Sequence, residues 1–547
     1  MAAVQFNPNT LVRNNQYNLG YICTQLQCEL GRGDKVALRW IAPATLEKVD
    51  FTFRQLEKAT NQMANALQEI GYKEGDIIFT FLPKIPMQFI AVLGTLKLKA
   101  IAACLFSNFG DEALLDRLQE AKAVITKQSL LRKLQPILDK LPSIRHILVV
   151  DAPKHQNEKI LSLPSLLEKA SDQFVVPPTS EKTPSILHFT SGSTGKSKGV
   201  QHVHGSILSQ ADSFCEVFQP RDNDLYWCTA DLGWVTGTSY GVIAPWSQGT
   251  TQVHYGGAYN PQDWLTVLER EKINVWYTAP TALRMLMREE DAFFQKFGLS
   301  ALRHIYSVGE PLNPEILAWS RRVLKRDIYD TWFQTETGSI MIANRPGLPI
   351  KPGSMGKPLS TITAAILGDD GKHLPANQCG NLCLQPGWPS MFITYRQYED
   401  IYREKFRYGY YFSGDIAQRD EDGYYWFLGR SDDVINTTGH LVSPFEVESS
   451  LLEVEEVAES GVIGAPDDIL FEKVVAFVVL KKSVKWSPEL ELKLRLHVTN
   501  RIAAIAAPQE ILIVDSLPKT KSGKIMRRIL KAQYLGQDAG DLSTMEM

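Results

Sequence analysis

"SILHFTSGSTGKSKGVQHVHGSILSQADSFCEVF", residues 185–218, sets a loop rich in Gly, Ser, Thr and Lys between an apolar, strand-like stretch and an amphipathic one. Gly192, Gly195 and Gly199 let the backbone turn its N–H groups inward, and Ser191, Ser193 and Thr194 add hydroxyl donors. Lys196 and Lys198 supply positive charge. "SILHF" reads as a buried strand, while Ile207, Leu208, Ala211, Phe214, Cys215 and Phe218 fall on one face of a helix. An anion held by the loop is therefore expected close to a helix N-terminus. A Walker A loop needs G-x-x-x-x-G-K-[ST]; Gly195, Lys196 and Ser197 satisfy its second half, but Thr190 stands where the first Gly belongs. Taken alone, the stretch fits both a phosphate cradle and a solvated linker.

The same grammar of strand, loop and capped helix recurs on both sides. "TFRQLEKATNQMANALQEIG" starts with a capping-box spacing of Thr52 and Gln55, carries Leu56, Ala59, Met63 and Leu67 on one face, and stops at Gly71. "NPQDWLTVLEREK" opens with Asn260 as N-cap and Pro261 in the first turn, followed by the strand-like "INVWY" and a further helix from Pro280. "RHIYSVG" likewise precedes "NPEILAWSRRVL", with Asn313 and Pro314 as cap and first residue. Such repetition predicts an α/β fold with largely parallel sheets. Near "GRSDDVINTTGHLVSP", residues 429–444, the pattern changes to a smaller α+β piece: a short helix at "PFEVESSLL", a strand "KVVAFVVLK", a helix "PELELKLRLHVTNRIA" and a last strand "EILIV". The boundary is placed at Asp432, giving a large domain over 1–431 and a small one over 432–547.

Composition narrows the function classes. The chain has 547 residues, 44% of them hydrophobic and 22% charged, and its 58 basic against 61 acidic residues leave a net charge of -3. That balance argues against a nucleic-acid or polybasic membrane surface. The most apolar run, "FIAVLGTLKLKAIAACLF" at 89–106, is broken by Lys97 and Lys99 and reads as a buried helix leading into a strand. The N-terminal stretch shows no charged region followed by an apolar one, so the cytoplasm is the expected compartment. Seven scattered cysteines, the nearest pair being Cys379 and Cys383, read as free thiols without a zinc site.

Six motifs then occur in order: "TSGSTGKSKG" (190–199), "SVGEPLNP" (307–314), "YDTWFQTETG" (329–338), "YYFSGD" (410–415), "GRSDDVINTTGH" (429–440) and "LPKTKSGKIMRR" (517–528). Together they resemble the adenylate-forming superfamily of acyl-CoA synthetases, luciferases and peptide-synthetase adenylation domains. "WCTADLGWVTGTSYGVIAPW" and "KPGSMGKP" are similar to its AMP-forming acetyl-CoA synthetase branch. The resemblance covers nearly the whole chain. It implies a two-step reaction in which a short-chain carboxylate, acetate or also propionate, attacks the α-phosphate of ATP, and CoA then displaces AMP. ATP, Mg²⁺ and CoA are the implied small-molecule partners.

The resemblance also assigns roles. Thr190, Ser191, Gly192, Ser193, Thr194, Gly195 and Lys198 would hold phosphates. Gly309, Glu310, Pro311, Asp330, Thr331 and Gln334 would line the nucleotide cleft. Asp415 would accept the ribose hydroxyls, with Arg430 as ribose and phosphate partner; a structural Arg paired with an acid is the alternative for Arg430. Thr335 would contact the α-phosphate and carboxylate, and Glu336 would hold Mg²⁺, a hard cation that favours carboxylate and phosphate oxygen. Lys524 would bridge carboxylate and phosphate during adenylation. The small domain would then turn about Asp432, withdrawing Lys524 and bringing Thr438, Gly439 and His440 to CoA. Acylation of Lys524 would remove its charge and is a candidate regulatory mark.

Val235, Thr236, Val308 and Phe333 correspond to the acyl pocket. Phe333 is smaller than the Trp of acetate-specific relatives and larger than the Gly of long-chain ones, which points to a short acid. Leu441 and Ser443 stand where relatives carry Arg and Gly, and Thr499 where some carry Arg; the Leu lacks charge-assisted phosphate bonds. Alternatives are a nucleotide-binding relative impaired in thioester formation, or a synthetase for a somewhat larger acid.

Overall fold

The computed structural model describes residues 3–191, 197–438, 440–467, 469–481, 484–519 and 525–538. Gly192, Ser193, Thr194, Gly195, Lys196, Gly439 and Lys524 therefore lie outside the described residues.

Four sheets organise the chain. An eight-stranded sheet has a parallel centre, with Ile77–Phe81 lying between Ile101–Leu105 and Ala123–Thr126. A nine-stranded sheet is parallel through Leu225–Cys228, Val275–Thr278, His304–Val308 and Ile328–Trp332. Antiparallel strands close both edges of the nine-stranded sheet and one edge of the eight-stranded sheet. The parallel strands are apolar on both faces, as burial between helices requires: every residue of Ile77–Phe81 and Ile101–Leu105 is buried.

Local signals act where the sequence put them. Thr52 and Gln55 form a reciprocal capping box on helix Phe53–Glu69. Asn260 Oδ1 accepts from Asp263 N at 3.0 Å ahead of helix Pro261–Arg270. Helix Pro86–Lys97 runs into strand Ile101–Leu105, and the Lys97 ammonium is buried against Asn61 Oδ1 at 2.6 Å. Asn313 precedes helix Pro314–Val323 as expected, but its side chain does not cap; Nδ2 donates to Ser449 Oγ at 2.6 Å instead. All seven cysteines are free, five of them buried. Among the described residues no helix is long and apolar enough to cross a membrane.

Two features depart from expectation. The third sheet, Ala364–Leu367, Cys379–Leu384, Phe406–Arg407, Tyr410–Arg419 and Tyr425–Arg430, is antiparallel throughout. The Gly-rich loop does not feed a helix. It joins strand Pro184–Ser191 to the antiparallel strand Ser197–Val203, pairing Ser191 with Ser197. Helix Ile207–Phe218 starts only at the far end of that second strand. "SKGVQHV" is taken up by a two-sided sheet, with Val200 and Val203 buried, and the ladder outcompetes an early helix start.

Strand Tyr425–Arg430 completes the third sheet and Ile435–Thr437 begins the fourth, so Asp432 lies in the turn between them. In the fourth sheet Val457–Asp467 and Phe471–Leu480 form a long hairpin, and Glu510–Ile513 adds in parallel. Helices Pro444–Leu452 and Pro488–Arg501 pack their apolar residues against it.

Candidate active site

Three sheets converge on residues 332–336. Trp332 ends the last parallel strand of the nine-stranded sheet, and the chain then turns through Gln334 and Thr335 to Glu336. From the third sheet, Asp415 reaches this turn. Trp332 Nε1 and Gln334 Nε2 each donate to Asp415 Oδ2 at 3.0 Å. Arg430 Nη1 donates to Asp415 Oδ1 at 3.0 Å, and Tyr411 OH donates to Gln334 Oε1 at 2.8 Å. Asp415 is buried, so its charge is sustained by these donors. Arg430 is thus paired with an acid, and that acid is the Asp415 expected to meet the ribose.

From the eight-stranded sheet, Tyr395 on edge strand Thr394–Arg396 donates its phenol hydrogen to Glu336 Oε1 at 2.7 Å. Burial, then the Glu336 charge, pushes the Tyr395 phenol well above its ordinary pKa, so it remains a donor. Lys198 lies over the same ring, 5.7 Å from its centroid. The buried His202 ring spans the carbonyls of Thr335 at 2.8 Å and Ser390 at 3.1 Å. Burial lowers its pKa, opposed by the contact with the Thr335 carbonyl, and the ring holds the Thr335 backbone in place. Asp116 receives both the backbone N–H and the hydroxyl of Ser197, holding one end of the Gly-rich hairpin. Thr190 pairs with Lys198 across it.

The C-terminal ends of the parallel strands supply the next group, where ligands of such sheets bind. Gly309 follows strand His304–Val308 at φ +88°, a conformation that favours Gly. Next to it, Glu310 accepts from Thr281 Oγ1 at 2.7 Å and is ion-paired with Arg284; Pro311 follows. Asp330 and Thr331 are buried. Ser307 Oγ donates to Asp330 Oδ1 at 2.6 Å, and Thr331 Oγ1 donates to Ser307 O at 2.8 Å. Burial raises the Asp330 pKa to about 7, opposed by the Ser307 hydrogen bond.

Val308 and Phe333 belong to one apolar cluster with Tyr240 and Tyr277. Phe333 meets Tyr240 edge-on at 5.5 Å between centroids. Val235 and Thr236 are buried on helix Val235–Thr238, directly ahead of the turn carrying Tyr240.

On the fourth sheet, Thr438 and His440 are exposed at the hairpin joining Ile435–Thr437 to His440–Val442, with Thr438 at φ +50°. Leu441 is exposed beside them. Ser443, by contrast, is buried and caps helix Pro444–Leu452, accepting from Glu446 N at 3.2 Å and donating to Leu428 O. Its departure from Gly therefore has a structural use. Thr499 donates to Arg495 O at 2.9 Å within its own helix. Contacts to the large body come from Arg288 to Glu459 and Asn313 to Ser449.

Trp332 and Tyr411 lay inside quoted motifs without being assigned. Tyr395, His202, Thr281 and Arg284 lay outside them, and no local pattern marks them.

These residues assemble a cleft of paired acids and bases at the ends of parallel strands, and the comparisons with known proteins give it a family. Residues 27–395 match the family described as AMP-binding enzyme, and residues 446–524 its C-terminal domain. The chain belongs to the AMP-binding enzyme family. Acetyl-coenzyme A synthetase of Bacillus subtilis (strain 168) is 45% identical over 97% of this chain and 92% of its own length. That of Deinococcus radiodurans is 38% identical over 97% of this chain and 86% of its own. Among solved structures, the anthranilate CoA ligase AuaEII in complex with anthranoyl-AMP superposes with a TM-score of 0.86 at 30% identity, covering 96% of this chain and 98% of that one.

Proposed function

We propose that this AMP-binding enzyme activates acetate with ATP to acetyl-AMP and pyrophosphate, then transfers the acetyl group to CoA with release of AMP. In the first step a carboxylate oxygen bonds to the α-phosphorus as the bond to pyrophosphate breaks. In the second the CoA sulfur attacks the acyl carbon and the bond to AMP breaks. Both steps bring anions together, so fixed donors and cations supply most of the acceleration.

The observation that carries this reading is the convergence of Asp415, Arg430, Glu336 and Lys198 around one turn, beside the apolar cluster against which Phe333 packs. Asp415 accepts the ribose hydroxyls, and Arg430 reaches from ribose to phosphate. Gly309, Glu310 and Pro311 line the adenine side, backed by Asp330, Thr331 and Gln334. Glu336 fits Mg²⁺ by its chemistry: a partly buried carboxylate oriented through one oxygen by Tyr395, whose ring also carries Lys198. There it would hold Mg²⁺, which would supply charge to offset that of the phosphates. Thr335 directs its hydroxyl to the α-phosphate from a backbone fixed by His202. Phe333, Val308, Val235 and Thr236 would bound the acyl chain, the bulk of Phe333 favouring a two- or three-carbon acid.

Residues 432–547 form the mobile unit, hinged at Asp432, carrying Lys524 for adenylation and Thr438, Gly439 and His440 for CoA. Acylation of Lys524 would stop the first step alone; a protein from cells always unmodified at Lys524 would count against such control. The overall test is exchange of labelled pyrophosphate into ATP across acids from acetate to hexanoate, followed by CoA-dependent thioester formation. Acetate-dependent exchange with AMP as product supports the reading. Exchange absent with every short acid, or ADP as product, overturns it.

A further inference from the structure

Lys405 belongs to none of the motifs, yet its ammonium comes close to Gly414 and the Arg430–Asp415 pair. It follows helix Glu399–Glu404 and precedes strand Phe406–Arg407. Its backbone is fixed on both sides: Lys405 N donates to Tyr402 O at 3.1 Å, and Phe412 N donates to Lys405 O at 2.8 Å. The side chain then extends towards Gly414, whose φ is +79°. A Cβ added to Gly414 would lie 3.2 Å from Arg430 Nη2 and 3.4 Å from Lys405 Nζ. Two cations therefore converge on one glycine, directly before Asp415.

The charged groups facing the ammonium are Glu336, Arg430, Asp415 and Lys198. Asp415 is already satisfied by Arg430, Trp332 and Gln334, and Glu336 holds Tyr395. Among the described residues the Lys405 ammonium has neither a hydrogen bond nor an ion pair. It borders a surface cavity of about 710 Å³, walled also by Asn381, Arg403, Glu404, Arg407, Gly414 and Ser431. A half-buried ammonium without a partner is costly, and burial lowers its pKa accordingly. An anion beside it would remove that cost.

We propose that Lys405 is a phosphate-binding residue of this cleft, its ammonium contacting the terminal phosphates of ATP and the pyrophosphate that leaves. The proposal rests on the adenylation reading above and extends it to a residue outside the motifs. Placement on a strand-end turn, next to Gly414 and Arg430, gives the ammonium a fixed position, unlike that of a lysine on a mobile segment. The adenosine half is served by Asp415, so loss of Lys405 should discriminate between polyphosphate and AMP.

The experiment is calorimetric titration of the full-length protein with inorganic pyrophosphate, ATP and AMP. Lys405→Met keeps the apolar stem, Lys405→Gln keeps its polarity, and Lys405→Arg restores the charge. Met and Gln should each weaken pyrophosphate and ATP binding by about tenfold or more, the size of one charge-assisted contact. AMP affinity should stay within about twofold, and Arg should recover most of the loss. Unchanged pyrophosphate affinity in folded Met or Gln variants would overturn the proposal. So would an equal loss for AMP, which would place the effect on the Arg430–Asp415 pair. Acetate-dependent exchange by the unaltered protein separately tests the adenylation reading, so the two can fail independently.

Discussion

The Tyr395 phenol donates to Glu336 Oε1 across 2.7 Å, tying the edge of one sheet to the turn that leaves the last parallel strand of another. One oxygen of Glu336 is thereby oriented. Removing that bond in Tyr395→Phe should leave the fold intact and raise the Mg²⁺ concentration needed for half-maximal exchange several-fold, since a bond to a charged group contributes about 1.5–3 kcal/mol. Titration of exchange activity with Mg²⁺ checks this; an unchanged requirement would remove Glu336 from the metal site.

Asp415 gathers Arg430, Trp332 and Gln334 around one carboxylate. Asp415→Asn keeps the shape but removes the charge that balances Arg430. Affinity for ATP and for AMP should fall together, by about tenfold or more, as both share the ribose. A variant that lost ATP affinity and kept AMP affinity would contradict the ribose assignment.

Phe333 meets Tyr240 edge-on and packs in the Val308 cluster. Phe333→Gly opens the pocket, and each added methylene then gains about 1–3 kcal/mol. The ratio of kcat/KM for hexanoate over acetate should rise by at least about tenfold for this reason. A ratio that stays constant would place the acyl group elsewhere.

Asp330 is held protonated in the fold up to about pH 7, because burial raises its pKa from the usual carboxylate range. In the unfolded chain it loses its proton earlier, near the ordinary Asp value of about 4. Between these values the unfolded state binds fewer protons, so this group's contribution to stability is full below about pH 4 and declines as pH rises to about 7. Asp330→Asn cannot titrate, and Asn Oδ1 can still accept from Ser307. Its thermal midpoint relative to the unaltered protein should therefore improve from pH 4 to pH 7.5. A constant difference across that range would show that Asp330 is ionised in the fold.

The α/β body was readable because its signals are local. Thr52 with Gln55, and Asn260 with Pro261, act within one helical turn. The antiparallel third sheet was not, because it pairs Cys379 with Gln418 across more than thirty residues of intervening chain and Asp415 with Arg430 across a turn, with no repeated strand, loop and capped helix to mark it. The Gly-rich loop was legible as chemistry, while its setting was misread: Val200 and Val203 favour the ladder that turns it into a hairpin. Charge partners were the least legible. Glu310 meets Arg284, Glu336 meets Tyr395, and Lys405 comes to Gly414 through pairings between separate elements.

Lys524→Ala tests the central claim, that one C-terminal ammonium serves acetyl-adenylate formation and not thioester formation. Acetate-dependent exchange of pyrophosphate should fall by about 100-fold or more, as expected when a charge acting in the transition state is removed. Conversion of supplied acetyl-AMP and CoA to acetyl-CoA should continue at close to the unaltered rate. Exchange at the unaltered rate in Lys524→Ala would contradict the account.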